Sequence, residues 1–105
     1  MAKPNIERFL GLPERLRDVA SMPDGSDMSG LIDQMEDFNQ MYEKNRNMRG
    51  ESDKPAPFGY LGRINSIITF LWYKYKPEYA PPCNPDFEMM ADDVEFIIGK
   101  INAMG

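Results

Sequence analysis

The 105-residue chain has no histidine and one cysteine, Cys83. Without histidine, neither a Ser-His-Asp arrangement nor a Cys-His pair can be assembled, and the usual general base of neutral pH is missing. The same shortage excludes the common zinc and transition-metal sites. Cys83 cannot close an intrachain disulfide, which fits a reducing compartment. It sits among prolines, with Lys76 and Lys100 as its nearest bases, so nothing in its surroundings lowers the thiol pKa. No apolar run approaches the roughly 20 residues of a membrane span. The opening MAKPNIERFLGLPERLR lacks the charged, apolar and small-residue order of a signal peptide. These absences predict a cytoplasmic protein with no membrane partner.

Phosphate and calcium loops are missing too. Gly59 and Gly62 flank Tyr60-Leu61 without the lysine or further glycines of a nucleotide fingerprint, and Asp24-Gly25-Ser26-Asp27 is too short for a calcium loop. No cofactor or metal is expected, and the chemistry available for catalysis is confined to carboxylates. A carboxylate enzyme needs a cleft that perturbs its acids, and nothing in the sequence points to one.

What is present is a sizeable apolar complement, 42% hydrophobic with 11% aromatic residues, in a chain of the length of one domain. The segment most in need of burial is 60–75, YLGRINSIITFLWYKY. Helical spacing places Leu61, Ile64, Ile68, Leu71 and Tyr75 on one stripe, with Tyr60, Ile67 and Trp72 beside it and Phe70 and Tyr73 outside it. Such wide apolar coverage predicts a central helix packed on more than one side. Residues 67–73 also suit a strand, because Ile68, Phe70 and Trp72 would share a face; length favours the helix.

Elsewhere the periodicity is clearer. Asn5 can cap a turn that ends at Gly11, and Leu12, Leu16 and Val19 then follow at helical spacing, with Pro13 near the first helical position. Met22-Pro-Asp-Gly-Ser26 is turn chemistry. Ser26 or Asp27 can start a second helix, whose face is formed by Met28, Leu31, Ile32, Met35, Phe38 and Tyr42. Residues 49–57 are polar and proline-punctuated and read as a mobile loop. Pro77, Pro81, Pro82 and Pro85 rule out a helix through the connector 77–85. Asn84 then caps a last helix with the stripe Phe87, Met90, Val94, Ile97, Ile98, Ile101 and Met104. The expected fold is all-α: one domain, a small bundle of three long helices plus a short N-terminal one. The helices fall at about 13–21, 27–47, 59–75 and 85–104.

Charge is segregated. Residues 1–21, 22–57, 58–82 and 83–105 carry net charges of +1, −4, +2 and −4. Asp24 to Glu43 precede Lys44, Arg46 and Arg49, and Asp86 to Glu95 precede Lys100, an order that complements a helix dipole. Asp33 and Asp37, and likewise Glu88, Asp92 and Glu95, share helical faces. Each set would be either a solvated surface or a ladder for a cation or a basic partner. Met89, Phe96 and Ala103 recur every seven residues opposite the main stripe of the last helix. They are expected to lie under the N-terminal helix, the alternative being a partner-facing strip. Arg63, Lys74 and Lys76 lie among Tyr60, Tyr73, Tyr75 and Tyr79, a composition common at protein interfaces. Direct nucleic-acid binding is disfavoured by the acidic balance and the lack of a basic stripe.

The expectation for function is therefore a non-enzymatic acidic protein that binds and modulates a larger protein, as inhibitors, immunity proteins, viral accessory proteins and adaptors do, by masking a basic site. The alternative is a structural subunit or assembly chaperone that self-associates through helical faces, for which nine methionines provide adaptable packing.

Overall fold

A computed structural model describes residues 6–45, 60–79 and 85–102. Among these residues all regular structure is helical, and no strand occurs. The helices are α1 (Leu12–Val19), α2 (Ser29–Asn45), α3 (Tyr60–Tyr75) and α4 (Phe87–Asn102), with 3-10 turns at Glu7–Phe9 and Pro77–Tyr79. The loop 49–57, Cys83, Asn84, Ala103 and Met104 lie outside the described residues.

The strand alternative for 67–73 is excluded. Ile64, Ile67 and Leu71 are fully buried, while Ile68 and Phe70 are partly buried and Trp72 is exposed, which is a period of 3.6 rather than 2. α3 packs against both α2 and α4, and α1 packs chiefly against α4. All six apolar residues of the α2 stripe are buried, and so are Leu12, Leu16 and Val19 of α1. Phe87, Val94, Ile97, Ile98 and Ile101 of α4 join the same core, together with Ala91.

The N-terminal turn is part of this core. Phe9 is fully buried and meets Phe38 edge to face at 5.2 Å. Gln34 of α2 ties the turn to α1, donating to the Arg8 carbonyl at 2.6 Å and accepting from Arg15.

The starts of α2 and α4 and the course of the connector differ from the sequence expectation, and α1 runs from Leu12 to Val19 rather than over 13–21. α2 begins at Ser29, because Asp27 spends its carboxylate on the Ser29 amide and hydroxyl, at 2.9 and 2.7 Å, and the first helical bond runs from Ile32 N–H to Met28 C=O. α4 begins at Phe87, capped by Asp86, whose Oδ1 accepts from the Met89 amide at 3.0 Å. The connector contains a helical turn after all. Pro77 opens the 3-10 turn at a position where its missing N–H costs nothing, and Tyr79 N–H donates to Lys76 C=O at 3.1 Å.

The loop before α2 fastens onto the end of α3. Gly25, at φ +89°, donates its N–H to the Lys74 carbonyl at 2.8 Å, and Asp24 lies 3.2 Å from the Lys74 ammonium. Further along, Asn39 of α2 donates to Asn65 of α3 at 3.3 Å, so the two helices run antiparallel. The Asn39 Oδ1 is buried and accepts no hydrogen bond from a described residue. Among the described residues, no helix is long and apolar enough to cross a membrane.

Candidate protein-interaction surface

Burial of Ala91, Val94 and Ile98 turns Glu88, Asp92 and Glu95 outward along one side of α4, beside the edge of α1. On α1, Leu16 points inward and its neighbour Arg17 lies at the margin of the interface. The Arg17 guanidinium reaches four carboxylates: Glu14 at 2.7 Å, Asp92 at 3.0 Å, Glu95 at 3.3 Å and Glu88 at 3.4 Å. Its side chain is 23% exposed, whereas those of the four acids are between 62% and 76% exposed.

Four carboxylates around one guanidinium leave the group at a net −3. The hydrogen bond to Asp92 is the largest influence on Arg17, outweighing its partial loss of water. With Glu14 and Glu95 it raises the already high pKa of the guanidinium. Each ionised carboxylate can accept about four hydrogen bonds, so a single arginine leaves most of that capacity facing water.

Met89 and Phe96 border this ladder, two helical turns apart. Contrary to expectation, α1 does not cover them: they are 58% and 53% exposed. α1 is only eight residues long, and Leu12, Leu16 and Val19 seat it on the other flank of α4, the flank Arg17 spans. The Lys100 ammonium lies 5.7 Å from the Phe96 ring centre, a cation over an aromatic face. On the far side of the strip, Arg63 of α3 bonds Asp93 at 2.9 Å, an ion pair between helices rather than a free cation.

The remaining sequence candidates are dispersed. Asp33 and Asp37 stand exposed on α2 and form no ion pair with a described residue. Tyr73 is half-buried edge-on to Phe70 at 5.9 Å, and Lys74 is 14% exposed and paired with Asp24. Tyr75 is stacked by Trp72 at 6.0 Å and faced by Lys76 at 4.7 Å, while Tyr79 is exposed. The mixture of bases and aromatics seen in the sequence is thus only partly taken up by contacts within the fold, and Trp72, Lys76 and Tyr79 stay exposed.

A pocket of about 150 Å³ lies between the end of α1 and the start of α2, lined by Arg15, Asp18, Met22, Asp27, Met28 and Leu31. That is well short of the roughly 300–1,000 Å³ of ordinary small-molecule sites. No group of three or more acids or cysteines among the described residues is arranged to hold a metal ion. Comparison of the chain with protein-family models, curated proteins and solved structures finds no match.

Arg17 and Glu14 are the members of this surface that sequence reasoning missed. Arg17 resembles Arg15 in local context, and only the burial of Leu16 against α4 aims it at acids more than 70 residues away. Its place directly after a core position of an amphipathic helix was the one available signal.

Proposed function

We propose that this chain is a non-enzymatic binding protein that engages and modulates a larger protein through the outward side of α4, the partner presenting a basic surface. The observation that carries this reading is the ladder Glu88, Asp92 and Glu95, still net negative after Arg17, running beside exposed Met89 and Phe96. An apolar centre with a charged border is the usual anatomy of a protein interface. Its sign favours lysine- and arginine-rich sites, including those that otherwise receive nucleic-acid phosphates. Complementary charge would steer the encounter as well as select the partner.

Self-association is the second reading, favoured by the same exposed Met89 and Phe96. The charges oppose it. If two copies met with these side chains in contact, Asp92, which lies between them in sequence and is exposed, would face the same acid of the other copy. Like charges directly opposed are unfavourable at any interface.

The test is binding to the partner captured from source-cell extract, measured at about 50 mM and about 300 mM salt. Slower association and weaker binding at the higher salt are expected. Exchanging Asp92 and Glu95 for lysine should abolish capture while leaving the circular dichroism helical. Equal rates and affinities at both salts, or undiminished capture by the charge-reversed chain, would refute the proposal.

A further inference from the structure

The surface of α4 also restricts the form of what can lie on it. Met89 and Phe96 are separated by two turns, about 10.5 Å along the axis. The strip between them offers side chains only: the backbone groups of α4 are used within the helix, and no strand edge exists among the described residues to pair with an extended segment. An extended peptide laid across Met89 and Phe96 would find no backbone partner there, and the bordering carboxylates can accept from its amides but donate nothing to its carbonyls. A helix arrives with those groups already satisfied and can turn apolar residues one heptad apart onto the strip.

Charge fixes the rest of the description. The ladder rises by four residues from Glu88 to Asp92 and by three to Glu95, which is the spacing of one face of a neighbouring helix. Arg17 shows how these acids hold a guanidinium: one terminal nitrogen lies 3.0 Å from Asp92 and 3.3 Å from Glu95. Oxygens turned away from Arg17 offer the same geometry to cations on a second helix. The face of Phe96 already attracts one ammonium, that of Lys100.

We infer that the partner lays a cationic amphipathic helix along α4, its apolar side over Met89 and Phe96 and its lysines or arginines over Glu88, Asp92 and Glu95. This rests on the proposed function and adds the form of the contact. A second copy of the chain is the wrong occupant, because its own α4 brings acids to the same place.

The experiment uses the full chain and three synthetic peptides of equal length, about 18 residues, and equal positive charge. One has leucines at helical spacing flanked by lysine and arginine. The second has the same composition with its leucines scattered, and the third carries two prolines mid-chain. Binding is followed by fluorescence anisotropy at low salt, on the native chain and on a Met89→Ser/Phe96→Ser double variant, both of whose sites are surface positions.

The amphipathic peptide should bind at least about tenfold more tightly than the other two, and the double variant should erase that margin. Equal binding of all three peptides would overturn the helix while leaving an acidic docking surface intact. A margin that survives the double variant would show that the strip is not the contact and would overturn the inference. Failure of every peptide to bind would overturn both the inference and the reading beneath it.

Discussion

Gly25 and Lys74 join the loop before α2 to the end of α3. The Gly25 amide donates to the Lys74 carbonyl at 2.8 Å, one of the carbonyls that a helix end leaves without an internal partner. Asp24, the preceding residue, holds the ammonium of the same lysine. The backbone bond depends on a φ of +89° at Gly25, a region that L-residues with a Cβ rarely occupy.

Gly25→Ala is therefore expected to destabilise the protein by about 1 kcal/mol through backbone strain, since no atom lies within 4 Å of the added Cβ. Asp24→Ala, at a 71% exposed side chain, should change stability by less than about 0.5 kcal/mol. Thermal unfolding of both variants decides between them. Equal shifts would mean that the turn conformation is not what joins the two elements.

Asp86→Ala should cost about 1 kcal/mol, as loss of an N-cap does, and Asp86→Asn much less. Urea unfolding midpoints give the comparison. An alanine variant as stable as the native chain would place the true start of α4 elsewhere.

Asp27 carries an acid sensitivity whose sign is set by Ser29. Hydrogen bonds from the Ser29 hydroxyl and amide hold the carboxylate below its ordinary pKa. A folded-state value below the unfolded one gives stability that is complete above about pH 4 and is lost as pH falls through the folded value. Asp27→Asn keeps an acceptor for Ser29 and removes the titration, so its stability should decline less steeply between about pH 4 and pH 2. Parallel declines in urea midpoint would refute this.

Met89→Ser and Phe96→Ser should each cost no more than about 1 kcal/mol, since both side chains are already more than half exposed. Ile97→Ala, one residue away and fully buried, should cost about 2–5 kcal/mol. A large loss from either serine variant would mean that the strip supports the fold.

The core was legible in the sequence because helical period is a local property. Phe38 and Tyr42, or Val94 and Ile98, mark a buried face from positions four apart, and that spacing survives any arrangement of the helices. Helix starts were less legible. Ser26, Asp27 and Ser29 can each cap, as can Asn84 and Asp86, and the choice between neighbours depends on which amide each carboxylate or hydroxyl meets in space. The acidic faces were visible as spacings, but the Arg17 contacts were not. Seating Arg17 among Glu88, Asp92 and Glu95 requires α1 to pack on α4 in one register, a fact absent from any window of the sequence. The expected cover over Met89 and Phe96 failed for the same reason: the eight residues of α1 lie along one flank of α4 and do not reach these two side chains.

The seat of Arg17 has a kinetic consequence. Glu88, Asp92 and Glu95 each pair with one guanidinium, and in the proposed complex part of the entropy that side chains ordinarily lose at an encounter would be lost beforehand. Replacing Arg17 with glutamine would then move the two rate constants of a complex in ways that partly cancel in the affinity. A more negative surface would draw a basic partner in faster, while carboxylates freed to wander would release it sooner.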